Sequence, residues 1–142
     1  MNPISILIVD DSEDDRYILT RQLKDTHIPI SHIFECSEGA SALNFFSDHA
    51  KNVVCYSTSY PPTFVFLDIN MPLMDGFEFL EEFKKIQAEK GLAPIVIMFS
   101  SSDKKEDVDR ATSFSCVKAY LVKGKYDLEQ LKNVMSISRN SN

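Results

Sequence analysis

The stretch that decides the fold is Thr63-Phe-Val-Phe-Leu-Asp-Ile-Asn-Met-Pro-Leu-Met-Asp-Gly76. It begins with a short apolar run that is rich in β-branched and aromatic residues, and Pro72 and Gly76 interrupt the segment after this run. This pattern is typical of a buried strand that ends in a turn. Asp68 stands at the polar end of the run. Because a parallel sheet binds its ligands beyond the carboxyl ends of its strands, Asp68 is a candidate site residue.

The first predicted strand repeats this layout. Residues 4–9 form an apolar run that leads directly into Asp10, Asp11 and Ser12. If the two strands are parallel neighbours, three carboxylates share one pocket, where two like charges about 5 Å apart repel by roughly 3 kcal/mol at an effective dielectric near 20. A divalent cation would relieve the repulsion, and an all-oxygen ligand set favours Mg²⁺ paired with a phosphoryl group. The alternative is that these aspartates only form turns and helix caps.

The rest of the sequence alternates between strand and helix patterns. Further strands are predicted at residues 30–36, 65–67, 94–99 and 117–122, and a helix is predicted after each of the five strands. The predicted N-caps include Ser12 with Asp15 as its capping-box partner, Ser37, and Asp103 with Glu106. Five strand–helix pairs with short connections predict an α/β fold, in which helices cover both faces of a parallel sheet.

One predicted connection is unusually long. Residues 50–62 are polar and turn-prone, with the run Tyr56-Ser-Thr-Ser-Tyr60-Pro-Pro62. A tolerated surface insertion and a dedicated partner loop both fit this segment. Long surface loops cost little conformational entropy, which favours the insertion.

The composition is that of one ordinary globular domain. The chain has 142 residues, of which 44% are hydrophobic and 25% charged, enough to bury a single sizeable core. Its net charge of −6 and the lack of a basic patch argue against nucleic acid as a direct partner. No apolar stretch approaches the ~20 residues of a membrane span, and no basic segment opens a secretory signal. We therefore expect a cytoplasmic protein without a membrane partner.

Polar residues also end the last two strands. Ser100 follows the fourth strand, and Lys123-Gly124 follows the fifth. With Asp68, Asp10 and Asp11, they supply a carboxylate nucleophile, two further acids, a hydroxyl group and an ammonium group. These are the groups that phosphoryl transfer to an aspartate requires.

Together these residues make the sequence resemble the receiver domain of two-component response regulators. The resemblance covers nearly the whole chain and rests on Asp10-Asp11, on residues 68–76, on Ser100 and on Lys123. It implies the flavodoxin-like (βα)5 fold, a doubly wound parallel sheet with strand order 2-1-3-4-5. The long segment before the third strand is in addition similar to phytochrome-associated regulators.

The resemblance also implies the roles of the acids. Asp68 would be the phosphoacceptor. Mg²⁺ would be held by Asp11, Asp68 and the backbone carbonyl of Asn70, with Asp10 assisting through water.

The remaining site residues follow from the same resemblance. Lys123 and Ser100 would contact the phosphoryl oxygens, and Ser100 with Tyr120 would form the switch pair. The sequence departs from the family at Lys123-Gly124, where the family usually has Lys-Pro joined by a cis bond. Because a cis bond before a non-proline residue costs roughly 2.5 to 4 kcal/mol, we predict a trans bond and a looser loop.

The implied function is that of a stand-alone response regulator rather than an enzyme with a substrate of its own. Residues 1–139 would form a single receiver domain, and residues 140–142 a short tail without an output domain. A histidine kinase or a phosphotransfer protein would donate the phosphoryl group. A downstream protein would bind the face of the fourth predicted helix, the fifth strand and the last helix. The same face is a candidate for a homodimer.

Three alternatives remain. A haloacid-dehalogenase-like phosphatase needs a second acid where this chain has Asn70, and an amide is no general acid at neutral pH. A flavodoxin-like FMN site would need phosphate beside Asp10 and Asp11, which would repel it. A pseudo-receiver would keep the shape and act as an interaction module without the chemistry. The competent residues at all five positions argue against this last reading.

Overall fold

Five parallel strands form one sheet at the centre of the structure, a computed structural model that describes residues 3–140 and side chains up to residue 136. The strands are β1 (Ile4–Val9), β2 (Ile30–Cys36), β3 (Phe64–Leu67), β4 (Ile95–Ser100) and β5 (Val117–Val122). Their spatial order is β2-β1-β3-β4-β5, and every neighbouring pair is parallel. The predicted α/β fold and its strand order are confirmed. Ser100 is the last residue of β4 rather than the first residue after it.

Nearly every residue of the central strands is apolar, and successive side chains of a strand point to opposite sides of the sheet. The central strands are therefore apolar on both faces. In β1, Ile6 and Ile8 pack on one face, while Leu7 and Val9 pack on the other. Strands β3 and β4 alternate in the same way. The sheet therefore separates two hydrophobic cores, each of which requires a layer of helices.

The described residues form six helices, and five of them supply these layers. The six helices are α1 (Glu13–Asp25), α2 (Gly39–Ser47), α3 (His49–Cys55), α4 (Gly76–Lys90), α5 (Lys105–Thr112) and α6 (Leu128–Asn140). Helices α1 and α6 pack on the face of Ile6, and α2, α4 and α5 pack on the face of Leu7. Asn140 ends α6, so it is not part of a tail, and residues 141 and 142 of the predicted tail lie outside the described residues. Within the described part of the chain, no helix is both long and apolar enough to cross a membrane.

The expectation of a long loop at residues 50–62 is wrong for its first half, which forms most of α3. Asn52 is buried and its side-chain amide donates to the carbonyl oxygen of Phe45 at 2.6 Å. The His49 ring nitrogen Nδ1 lies 3.0 Å from the hydroxyl oxygen of Tyr60, which is also buried. These contacts fold the segment back onto α2, a tertiary effect that its polar sequence does not indicate.

Two predicted N-caps are also wrong. Helix α2 begins after Glu38 rather than Ser37, and α5 begins after Lys104 rather than Asp103, both without a side-chain cap. Asp103 instead pairs with Lys125, whose Nζ lies 2.9 Å from Asp103 Oδ2. The Asp103 side chain thus contacts a lysine from the β5–α6 connection rather than the first turn of α5.

The connection from β3 to α4 leaves no room for a side chain at Gly76. The Gly76 N–H donates to the carbonyl oxygen of Ile69 at 2.8 Å. A Cβ atom at Gly76 would lie 2.4 Å from the carbonyl oxygen of Asp68 and 2.9 Å from Ile69 Cα. The first turn of α4, which a capping box between Asp75 and Glu78 stabilises, therefore packs directly on the backbone of Asp68.

This packing predicts that Gly76→Ala lowers the free energy of unfolding by about 1–3 kcal/mol, because the added methyl group meets rigid backbone. Gly39→Ala is the matched control, since Gly39 is likewise the first residue of its helix. A Cβ there would meet only the flexible side chain of Met74, at 3.0 Å, so we expect a change below about 1 kcal/mol. Urea denaturation measures both values, and equal losses would contradict the prediction.

Candidate functional site

The carboxyl ends of β1 and β3 lie side by side. Val9 and Leu67 are partners in the ladder, so the aspartates that follow them become neighbours. The Asp68 N–H donates to the carbonyl oxygen of Val9 at 3.0 Å, and the Asp10 N–H donates to that of Cys36 at 3.0 Å. Both aspartates thus extend the ladder by one residue, and both are buried.

Three carboxylates meet at this edge, as the sequence predicts. Asp10, Asp11 and Asp68 each offer an oxygen atom, and these atoms all lie within 4.8 Å of one another. Asp11 is exposed, so the cluster opens to solvent on one side. Asn70 lies two residues beyond Asp68 and is exposed. The contribution of its carbonyl group to a metal site stays a prediction.

Lys123 reaches the acids from the end of β5. Its Nζ lies 2.8 Å from Asp10 Oδ2 and 3.4 Å from Asp68 Oδ2. The Lys123 N–H donates to the carbonyl oxygen of Ser100 at 2.8 Å, which fixes its backbone against β4. The only cis bond among the described residues is Tyr60–Pro61, so the Lys123–Gly124 bond is trans, as predicted. Gly124 has φ +75°, a conformation that glycine adopts without strain.

Asp15 belongs to the same cluster, although its sequence context predicts only a capping box. Its Oδ2 lies 2.8 Å from Lys123 Nζ. Ser12 caps α1 as predicted, because its Oγ accepts from the Asp15 N–H at 3.1 Å. The return half of the box is wrong, since the Ser12 N–H donates to Asp10 Oδ1 at 2.9 Å and leaves the Asp15 side chain free for Lys123. No spacing rule within the sequence indicates this contact, because Asp15 and Lys123 are 108 positions apart and come together only in the folded sheet.

Ser100 and Tyr120 are linked through the loop that follows β4. Ser100 is buried, and its Oγ accepts from the Ser102 N–H at 3.1 Å. Tyr120 is half-buried, and its hydroxyl donates to the carbonyl oxygen of Ser102 at 2.7 Å. Burial raises the pKa of Tyr120, and hydrogen bonds with Ser100 and Ser102 act against that rise. The two residues therefore contact one short segment, while their role as a switch stays a prediction.

The electrostatics of the cluster follow from burial and crowding. Burial and the charge of Asp10 raise the pKa of Asp68 to about 6, against the opposing effects of Lys123 and of the Ile69 N–H. Burial by itself would lower the pKa of Lys123, but its short contacts with the carboxylates of Asp10 and Asp15, together with the charge of Asp68, outweigh burial and raise it. Lys123 thus stays charged, and a single ammonium is shared by several acids.

The residues present fit a hard divalent cation. Asp10 Oδ2 is buried and has no hydrogen bond of good geometry, although Lys123 Nζ lies 2.8 Å away. The contact between this oxygen and the ammonium group is short but poorly aligned for a hydrogen bond, so the oxygen has a lone pair available for a metal ion. With the oxygen atoms of Asp11 and Asp68 close by, it forms the kind of ligand set that Mg²⁺ and Mn²⁺ prefer.

A family model described as the response regulator receiver domain matches residues 6–136. Response regulator Rcp1 from Synechocystis is 30% identical over 135 residues, which cover 95% of this chain and 86% of Rcp1. The histidine kinase CKI1 from Arabidopsis thaliana is 29% identical over 132 residues, which cover 92% of this chain. The chain spans only 11% of the length of that kinase.

Solved structures of the same two relatives share the fold. The CKI1 receiver domain complexed with Mg²⁺ and BeF₃⁻ matches with a TM-score of 0.79 and 27% identity, and the match covers 96% of this chain and 90% of that one. The Mn²⁺-bound form of Rcp1 matches with a TM-score of 0.69 and 29% identity, and covers 95% and 91%. Both relatives therefore bind a divalent cation in the crystal.

The raised pKa of Asp68 predicts that Asp68→Asn stabilises the metal-free protein at pH 7. Ionisation of the wild-type carboxylate lowers the free energy of unfolding by an amount that is absent well below the ordinary pKa of 3.8, grows as the pH rises through 3.8 towards about 6, and is complete above it. At about 1.4 kcal/mol per pKa unit, this shift of about two units corresponds to a gain of about 3 kcal/mol at pH 7, and of less than about 1 kcal/mol at pH 4.

Urea denaturation in EDTA at the two pH values measures this difference. The control is Asp14→Asn, which removes an exposed carboxylate from the first turn of α1. A variant at position 68 that is less stable than the wild type at pH 7 would show that repulsion does not dominate the site.

Proposed function

Because the chain belongs to the response regulator receiver domain family, we propose that it accepts a phosphoryl group on Asp68 from a histidine kinase or a phosphotransfer protein. Receiver domains are regulatory modules of two-component signalling. The observation that carries the proposal is the meeting of Asp68 with two further carboxylates and the Lys123 ammonium at one edge of the sheet. Phosphoryl transfer depends on this kind of positioning and charge balance.

Asp68 would supply the attacking oxygen. Its Oδ1 accepts from the Ile69 N–H at 2.8 Å, which orients the carboxylate and leaves Oδ2 facing Lys123. Attack of a carboxylate oxygen on the phosphorus of a phosphohistidine forms an O–P bond and breaks the N–P bond. The electron pair of the broken bond stays on the imidazole nitrogen, which takes up a proton. No general base is needed, because the ionised carboxylate attacks directly.

Asp10, Asp11, Asp68 and the carbonyl group of Asn70 are the groups that would hold Mg²⁺. When bound, Mg²⁺ neutralises charge on the phosphoryl oxygens. The metal-containing structures of the CKI1 receiver and of Rcp1 support this assignment by similarity. On the protein side, the Lys123 ammonium and the Ser100 hydroxyl would donate to phosphoryl oxygens.

The proposed switch couples Ser100 to Tyr120 and to α5. If the Ser100 hydroxyl turns to a phosphoryl oxygen, it gives up the Ser102 N–H and loosens the segment that Tyr120 holds. Ser102 Oγ also donates to Asp107 Oδ2 of α5 at 2.5 Å. This route favours the surface of α5, β5 and α6 as the place where a downstream protein, or a second copy of the chain, detects the change.

We further propose that residues 1–139 act as one receiver domain, in keeping with the family match over residues 6–136. Its signal would leave through protein contacts. The proposal assigns the protein to the cytoplasm, where histidine kinases obtain their ATP. The specific kinase and target would be defined by surface residues outside the acidic cluster.

Incubation with acetyl phosphate and Mg²⁺ tests the proposal, and intact mass is the measurement. We expect the wild-type protein to gain the mass of one phosphoryl group, and to gain nothing when EDTA is present. Asp68→Asn should gain nothing under any condition, because its amide is not a nucleophile at neutral pH. Asp14→Asn should gain the group as the wild type does.

Two results would contradict the proposal. Equal uptake by Asp68→Asn and the wild type would show that another residue is the acceptor. No uptake by the wild type from acetyl phosphate or from a phosphorylated kinase would favour the pseudo-receiver, an interaction module that keeps the shape of a receiver without its chemistry.

A further inference from the structure

We propose that Asp15 is a positioning residue that holds the Lys123 ammonium away from Asp68 until a phosphoryl group enters the site. The inference rests on the proposed function, because it concerns how the same cluster changes between its free and phosphorylated states. It assigns a role to a side chain that is neither the phosphoacceptor, nor a proposed metal ligand, nor part of the proposed switch pair.

The contacts of Lys123 are unequal. An ammonium group has three hydrogens to donate, and here three carboxylates surround it. Lys123 Nζ lies 2.8 Å from both Asp10 Oδ2 and Asp15 Oδ2, but 3.4 Å from Asp68 Oδ2. Its two short contacts are thus to acids that do not accept the phosphoryl group, and its long contact is to the proposed acceptor.

Asp15 is placed to compete for Lys123 without taking part in metal binding. Among the described residues, the acids that could jointly hold a cation are Asp10, Asp11 and Asp68, without Asp15. The Asp15 side chain is 34% exposed, whereas that of Asp10 is 0% exposed. Solvent weakens the Asp15 contact, which makes it the easier of the two short contacts to break.

The backbone around Asp15 is fixed, so Lys123 is the partner that moves. The Asp15 N–H donates to the Ser12 cap at 3.1 Å. The neighbouring Arg16 donates from Nη1 to the carbonyl oxygen of Asp10 at 2.7 Å and pairs through Nε with Glu35 Oε1 at 3.0 Å. These bonds attach the first turn of α1 to the ends of β1 and β2. The long Lys123 side chain, by contrast, can swing on an anchored backbone.

The ion pair between Asp15 and Lys123 acts as a tether on the lysine side chain. This tether has opposite consequences for a phosphoryl group and for Mg²⁺. A phosphoryl oxygen must draw Lys123 from Asp15, so the tether opposes the phosphorylated state. In the free protein, the tether holds the positive charge of Lys123 away from Asp68, so it helps a cation to bind beside Asp68. Removal of the Asp15 charge should therefore weaken Mg²⁺ binding and strengthen phosphoryl binding. A merely structural defect would weaken both.

The experiment compares wild type, Asp15→Asn, Asp15→Glu and the control Asp14→Asn by isothermal titration calorimetry. Mg²⁺ is titrated first into the phosphate-free protein, and beryllofluoride is then titrated at saturating Mg²⁺. We expect Asp15→Asn to bind Mg²⁺ about two- to fivefold more weakly and beryllofluoride about two- to fivefold more tightly, the range of a partly exposed ion pair. Asp15→Glu should move both values back towards wild type, and Asp14→Asn should leave beryllofluoride binding unchanged.

The inference is overturned if Asp15→Asn weakens both ligands, changes neither, or matches Asp14→Asn in both titrations. Failure of the proposed function is a separate result. A wild type that binds Mg²⁺ but neither beryllofluoride nor a phosphoryl group would contradict phosphoryl acceptance. The Mg²⁺ comparison between Asp15→Asn and Asp14→Asn would in that case still test whether Asp15 holds Lys123.

Discussion

Repulsion between Asp10 and Asp68 is the constraint on which the functional edge depends. The pairing of Val9 with Leu67 brings the two carboxylates together, and the cores on both faces of the sheet fix that pairing. A slip of one residue would exchange the faces of an entire strand, so the protein cannot relieve the repulsion by moving its strands. Relief has to come from a proton, from Lys123 or from a cation. The rest of the site can be understood as competition among these three.

The parts of the fold that the sequence predicted are those fixed by local pattern. Strands β1, β2 and β5 have the predicted bounds, because apolar runs that end in polar or turn residues leave little freedom in where a strand stops. Gly91 ends α4 in the left-handed conformation with φ +68°, the usual role of a glycine at a helix C-terminus. The clustering of Asp10, Asp11 and Asp68 followed from the same reasoning, because parallel strands end at one edge.

The features that the sequence did not reveal depend on contacts between different elements of the fold. Helix α3 is stabilised by the contact of Asn52 with Phe45 of α2 and by the contact of His49 with Tyr60 in the segment that follows. Asp15 and Lys123 are separated by 108 positions, and no spacing rule for one helix reports a partner on another strand. Local rules favoured a capping box for Asp15, and the competing hydrogen bond from Ser12 to Asp10 decided the outcome.

The helices on the two faces of the sheet are attached to its functional edge in different ways. The Arg16 guanidinium attaches α1 to the ends of β1 and β2, whereas the connection from Ser100 to α5 passes through single hydrogen bonds of Ser102. Under the proposed switch, a protein that docks on α1 would meet the same shape before and after phosphorylation and could distinguish the two states only by charge. A protein that docks on α5 would meet two different shapes. Two partners that use these two surfaces could then evolve independently, on opposite sides of one small domain.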